Sequence, residues 1–264
     1  KTHIQFLNKI FQGKKMNLKI VLIICLSIIN LYAQNKLRVG VLAYGTVNWE
    51  LDVLKHNNLD KKNNFELEIV ELASKNAQII ALQAKDVDVI VNDWIWVNTQ
   101  RANGKDFTFY PYSKATGTLV VNENSQIKSL LDLKGKYLGI GGGVYDKTWL
   151  IFRAYTKKKY NLDLKNIVTP MYASAPIIYK KMEDNSLEAS INFWHFNSKL
   201  ESKNIKPLIQ IKDIYKELGI NEDVPFVGWT FNRSFANDKK DLINSFLEAT
   251  LESKKILNED DSQW

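Results

Sequence analysis

Apolar and polar residues alternate over Leu37-Arg38-Val39-Gly40-Val41, the two-residue period of a strand. A short loop leads to a helix predicted over residues 49–55, and residues 66–70 read as a second strand. Ser74 is placed to cap a helix that carries Ala77, Ile80, Ala81 and Ala84 at helical spacing. Residues 87–91 form a short apolar strand, a helix follows over 94–102, and 107–112 is a further strand. The second half repeats this order. Residues 137–140 are a strand that runs into Gly141-Gly142-Gly143 and a helix reaching Lys158. Residues 167–172 are a strand, after which Ser174 with Pro176 opens a helix. Residues 188–193 are a strand followed by a helix, and residues 207–211 are apolar in the manner of a strand. A last strand over 224–231 precedes a long helix with Leu242, Phe246 and Ala249 on one face. Strands alternating with amphipathic helices build βαβ units, so the pattern predicts an α/β fold with mostly parallel sheets.

The two halves echo one another. Asp88-Val89-Ile90-Val91-Asn92-Asp93-Trp94-Ile95-Trp96 parallels Glu188-Ala189-Ser190-Ile191-Asn192-Phe193-Trp194-His195-Phe196 at an offset of 100 residues. Trp49 and Trp149 each follow the first strand of their half at the same offset. Two matches in register predict two similarly built lobes. Both Asn-x-Trp corners fall at carboxyl ends of parallel strands, where open α/β sheets bind ligands. The loop around Tyr44 and the triple glycine fall at equivalent edges.

The N-terminal region changes the charge picture. Lys14, Lys15 and Lys19 flank Met16, an apolar run covers residues 20–29, and Asn30-Leu31-Tyr32-Ala33 leads into polar sequence. This is the layout of a cleaved secretory signal peptide, too short in its apolar part for a comfortable membrane span. Residues 1–15 precede Met16 and read as upstream sequence. Cleavage near Ala33 removes five lysines and no acid, so the net charge falls from +7 to +2. It also removes Cys25, the sole cysteine, and with it disulfides, thiol nucleophiles and thiolate metal sites. No clustered basic surface for nucleic acid remains; Lys157-Lys158-Lys159 reads as a solvated helix end. No later segment is apolar enough to span a membrane.

Three stretches carry a family resemblance: Leu37-Arg38-Val39-Gly40-Val41, Ala81-Leu82-Gln83-Ala84-Lys85-Asp86-Val87-Asp88-Val89 before the Asn92-Asp93 corner, and Ile127-Lys128-Ser129-Leu130-Leu131-Asp132-Leu133-Lys134-Gly135-Lys136. In them the chain resembles the type II periplasmic solute-binding proteins of ATP-driven (ABC) importers, in the branch for nitrate, sulfonate, taurine and thiamine precursors. The resemblance runs over residues 36–264. It implies two Rossmann-like lobes, the first from 36–118 with 224–264 and the second from 119–223, joined by two hinge strands. It implies a monomer that captures a small molecule in the interlobe cleft, delivers it to a membrane permease in the periplasm, and needs no cofactor. A sensory module on the same fold, and a thiamine-pyrimidine synthase, are the other functions the resemblance touches. The synthase looks to require a cysteine-rich patch, which the mature chain lacks.

Candidate ligand contacts follow from the strand tips. Gly142 and Gly143 open backbone N–H groups at a helix start, an arrangement suited to an anion. Asp146, Lys147 and Asp93 stand beside that position and suit a ligand with a cationic or hydrogen-donating part; each acid is equally a helix cap. Tyr44, Trp49, Trp94, Trp149, Trp194 and Trp229 concentrate at strand ends, where flat rings stack on an aromatic ligand or cage a cation. Asn92 and Asn192 each offer an amide to ligand or to the turn itself. His195 has no second histidine or cysteine beside it, so no metal site is expected, and Ser174 lacks the surroundings of a nucleophile. The expected ligand is a small organic solute with a flat or cationic part, with a sulfonate-like or taurine-like anion as the alternative.

Overall fold

The computed structural model describes residues 35–221 and 223–264. The segment predicted as a signal peptide, with Met16 and Cys25, lies outside the described residues. Among the described residues, ten strands form two five-stranded sheets of matching design. The first contains β1 (Lys36–Leu42), β2 (Glu66–Leu72), β3 (Val89–Asp93), β4 (Phe107–Ser113) and β10 (Val227–Asn232), in the order β2-β1-β3-β10-β4. The second contains β5 (Thr118–Val121), β6 (Tyr137–Ile140), β7 (Thr169–Tyr172), β8 (Ala189–Asn192) and β9 (Lys206–Pro207), in the order β7-β6-β8-β5-β9.

In each sheet four strands run one way. The fifth, β10 in the first and β5 in the second, lies antiparallel between its neighbours. That strand is in both cases the first one formed after the chain crosses from the other sheet. The crossings are the segment between β4 and β5 and the return to β10. The protein is therefore a two-lobed α/β fold with mostly parallel sheets.

Helices cover both faces of each sheet. In the first lobe α1 (Val47–His56) and α10 (Lys240–Glu259) bury Leu51, Leu54, Phe246 and Ala249 against Leu37, Val39, Val41 and Trp229. The odd-numbered residues of β1 are fully buried on that side because its period of two points them all one way. On the opposite face α3 (Lys75–Ala84) and α4 (Trp94–Ala102) pack Ile79, Leu82, Trp96 and Val97 with Ile90 and Phe107. A short helix, α2 (Leu59–Lys62), joins α1 to β2, and α9 (Arg233–Asp238) joins β10 to α10.

The second lobe repeats this sandwich. Here α5 (Lys147–Tyr160) and α8 (Ile211–Leu218) cover one face with Trp149, Phe152, Tyr155, Ile214 and Tyr215. On the other face α6 (Ala175–Glu183) and α7 (Trp194–Glu201) bring Ile178, Met182 and Leu200 onto Val120. Phe226, just before β10, is fully buried in this second core and stacks on Tyr215 at 5.1 Å. Buried aliphatic and aromatic side chains contribute about 1.5–3 kcal/mol each, so these two cores hold the strand tips in place.

Two local expectations change. Of the apolar stretch 207–211, only Pro207 belongs to β9, and Ile211 begins α8. Ile211, Ile214, Tyr215 and Leu218 recur at helical spacing and pack onto the second core, which overrides the strand-like look of the run before them. Ser174 stands at the N-cap position of α6, but its side chain makes no capping bond; Pro176 in the first turn starts the helix.

Candidate functional site

Three of the helices that follow strand tips, α3, α4 and α5, begin with side-chain caps, and these caps bring charge to the ends of the sheets. Asp93 accepts from the Trp96 N–H at 2.9 Å and starts α4; Asp146 accepts from the Trp149 N–H at 3.0 Å and starts α5. Ser74 caps α3 by accepting from the Ala77 N–H at 3.1 Å, which puts Lys75 in that helix's first turn. A Cβ on Gly142 would collide with the Asp146 carboxylate, so glycine there lets the acid fold back over the helix start.

A cavity of about 310 Å³ lies between the lobes at these tips. The first lobe contributes Trp49 and Glu50 after β1, Lys75 after β2, and Asn92 and Asp93 at the end of β3. The second lobe contributes Asp146 and Lys147 after β6 and Phe193, Trp194 and His195 after β8. Tyr112 of β4, Lys254 of α10 and Trp264 complete the far wall. The lobes touch around this space. Lys75 Nζ ion-pairs with Asp93 and donates to the Tyr145 carbonyl of the other lobe at 3.3 Å. The Tyr44 ring packs across the gap on Phe193 and Phe196, at 6.4 and 6.1 Å.

The polar groups of the cavity fall into two sets. Around the junction of the lobes, both Asp93 oxygens are engaged, one by the Trp96 N–H and one by Lys75. Lys147 makes no ion pair among the described residues; its Nζ lies over the Phe193 ring, 6.0 Å from the centre. Burial pushes the Lys147 pKa down, opposed by Asp146 and, more weakly, by Asp93, while Lys75 adds to the depression. Asn92 folds its Oδ1 onto the Asp93 N–H at 2.9 Å and leaves a buried Nδ2 without a hydrogen bond.

At the far wall, Tyr112 donates its hydroxyl to Glu50 Oε1, while the buried Glu50 Oε2 has no hydrogen bond. Burial raises the Glu50 pKa, against the Tyr112 hydrogen bond and the Lys254 charge. Lys254 lies 3.5 Å from the Tyr112 ring centre and donates to the Tyr112 carbonyl at 2.7 Å. Burial pushes its pKa down and raises that of Tyr112. The Trp49 and Trp264 rings meet edge to face at 5.5 Å in this wall.

The residues singled out from sequence divide accordingly. Trp49, Asn92, Asp93, Asp146, Lys147 and Trp194 all line the cavity. Trp149 and Trp229 do not; both are essentially unexposed and belong to the second and first cores, respectively. Trp94 packs on Phe226 with ring centres 5.8 Å apart, at the edge of the second core. Asn192 serves its own turn: Oδ1 accepts from the Phe193 N–H at 2.9 Å and Nδ2 donates to the Ala175 carbonyl at 3.0 Å. Gly142 and Gly143 shape the turn before α5 rather than facing the cavity, and Tyr44 bridges the lobes beside it. The strand-tip rule finds residues that border the cavity but does not separate rings that point into it from rings that point into a core.

Several lining residues had weaker signals. Lys75 directly follows the Ser74 cap, so the same rule places it at the tip of β2. His195 packs on Phe193, Trp194 and Phe196. Burial there lowers its pKa to about 4, with Lys199 adding and the Tyr44 backbone opposing. Tyr112 and Lys254 carry no sequence signal, because only the tertiary fold brings α10 against β4. No group of three His, Cys, Asp or Glu side chains among the described residues is placed to hold a metal ion.

A family model described as NMT1/THI5 like matches residues 55–262. No curated protein matches the chain. Among solved structures, the chain is similar to the periplasmic aliphatic sulphonate binding protein SsuA from Escherichia coli, with 19% identity and a TM-score of 0.63 over 87% of this chain and 76% of that one. It is similar to the alkanesulfonate-binding protein SsuA from Xanthomonas axonopodis pv. citri bound to MOPS, with 16% identity and a TM-score of 0.67 over 86% and 76%. It is also similar to a ligand binding component of an ABC-type import system from Staphylococcus aureus, with 13% identity and a TM-score of 0.66 over 87% and 77%. At these identities the likeness is one of fold.

Proposed function

This chain belongs to the NMT1/THI5-like family, and from that membership we propose that it is the extracytoplasmic solute-binding component of an ATP-driven importer. The observation that carries the proposal is the cavity itself: its walls come from the strand tips of both lobes, and it holds polar groups that no protein partner satisfies. Capture and release, with no bond made or broken, is the work that this geometry supports. In this reading the lobes comprise residues 36–118 with 224–264 and residues 119–223, and the protein acts in the periplasm as a monomer that presents its closed form to a permease. Hinged closure about two crossing segments is an established way for such lobes to enclose a ligand.

The ligand we propose is a small organic solute with a flat or cationic part. The aromatic lining from Trp49, Phe193 and Trp194 supports the flat part, and the Glu50 carboxylate supports the cationic one. A second reading, a sulfonate-like anion, is favoured by Lys147, which has no carboxylate paired with it among the described residues. A thermal-shift screen of the purified chain across sulfonates, amines, pyrimidines and nitrate tests the proposal. A ligand that binds the folded form alone raises the melting temperature by mass action. A melting temperature unmoved by every compound at millimolar concentration contradicts solute capture.

A further inference from the structure

The unengaged charged groups of the cavity have opposite sign at its two sides. At the lobe junction stand the Lys147 ammonium, with no ion-pair partner among the described residues, and the buried Asn92 Nδ2 donor, beside the neutral His195 ring, whose two buried nitrogens, one donor and one acceptor, are also unengaged. At the far wall the unengaged group is an acceptor, the buried Glu50 Oε2. The other charges in the cavity have partners of their own, and the Lys254 charge also acts on Glu50. Lys75 and Asp93 pair with each other, Asp146 caps α5, and Lys254 is held on the ring and carbonyl of Tyr112. Strand register separates the two sides. Tyr112, which binds Glu50, lies on β4, and β10 stands between β4 and the β3 strand that ends in Asn92 and Asp93. Two strand spacings correspond to roughly 10 Å.

We infer that the natural ligand is a planar dipolar solute. Its anionic end, a carboxylate or a group of similar chemistry, lies against Lys147 and Asn92, and its ammonium or other N–H donor lies against Glu50. The inference rests on the solute-capture reading and narrows it. Leaving a buried acceptor or donor unpaired is costly, and more so when it is charged, so a ligand satisfying both sides gains over one that satisfies a single side. Trp49 and Trp194, both lining the space, favour a flat body between the two charges. A ligand that is only anionic leaves Glu50 Oε2 unpaired; a ligand that is only cationic leaves Lys147 in that position.

The test uses three probes on the purified chain by isothermal titration: 4-(aminomethyl)benzoate, which has both ends, and benzoate and benzylamine, which have one each. The dipolar probe is expected to bind at least about tenfold more tightly than either half. Lys147→Gln should weaken the dipolar probe and benzoate about tenfold while sparing benzylamine. Glu50→Gln, which keeps an oxygen for the Tyr112 hydroxyl, should weaken the dipolar probe and benzylamine while sparing benzoate. Melting curves of both variants report whether they remain folded. Equal affinity for the dipolar probe and one of its halves, or variants that weaken all probes alike while folded, overturns the inference. Failure of all three probes while another solute class raises the melting temperature overturns it too, and leaves solute capture standing. Failure of every compound removes both.

Discussion

Asn92 and Asn192 stand at the carboxyl ends of equivalent strands, as the penultimate and last residue respectively, and fold alike, each turning its Oδ1 onto the next residue's N–H at 2.9 Å, yet only Asn192 engages its Nδ2, on the Ala175 carbonyl. The same residue in two copies of one design thus closes a turn in the second lobe and leaves a free donor on the cavity in the first. Asn192→Ala removes two hydrogen bonds, to the Phe193 N–H and the Ala175 carbonyl, whereas Asn92→Ala removes one, to the Asp93 N–H. Urea unfolding should show Asn192→Ala as the more destabilising by about 1 kcal/mol, while Asn92→Ala should be the one that weakens ligand binding. Equal effects on both properties would remove the distinction.

The tryptophans divide in the same way. Trp149 is fully enclosed, so Trp149→Ala should lose about 3–5 kcal/mol of stability by leaving a cavity in the second core. Trp194 is 41% exposed and lines the interlobe cavity, so Trp194→Ala should unfold within about 0.5 kcal/mol of the parent and, if the cavity is the binding site proposed, bind its solute more weakly. Denaturant melts and titrations on the same two variants separate the roles. A Trp194→Ala protein with unaltered affinity would take that ring out of the site.

Stability against pH carries a signature of His195. Its folded pKa lies near 4, below the 6.5 of a free imidazole, because burial disfavours the charged form. Between those values the unfolded chain binds the proton and the folded chain does not, so this group makes stability rise with pH over that window. Glu50 acts in the opposite sense. Its folded pKa is raised, so its contribution falls as pH rises from the ordinary carboxylate range towards that raised value. His195→Gln should therefore flatten the rise in unfolding free energy between pH 4 and 6.5 relative to the parent. An unchanged slope would show that the imidazole is solvated in the folded protein.

Lys75 joins the lobes through its contact with the Tyr145 carbonyl while paired to Asp93. Lys75→Met removes this link and leaves Asp93 buried without its cation. Small-angle scattering of the ligand-free variant should show a larger radius of gyration than the parent, and its solute affinity should fall. A compact variant with full affinity would show that closure does not depend on this side chain.

Much of this architecture was legible in the sequence for a physical reason. Alternation in β1, the capped helix after Ser74 and the Asn-x-Trp corners are local patterns, and each local pattern fixes a neighbouring element. The hundred-residue echo further exposed the doubling of the design. What local pattern lacks is direction. Trp49 and Trp149 sit at matching offsets, but the first faces the cleft and the second a core, a difference set by which helices pack around each. Glu50, Tyr112 and Lys254 meet only because α10 returns to the first sheet after the whole second lobe has been built. A contact of that sequence separation leaves no periodic trace.

The most direct test of interlobe capture is a crystal structure of the chain with whichever solute raises its melting temperature most. Solute capture predicts density enclosed between the lobes, within hydrogen-bonding distance of Asn92 from the first lobe and Lys147 from the second. Density confined to the outer surface of one lobe, with the space between Asn92 and Lys147 holding only water, would contradict it.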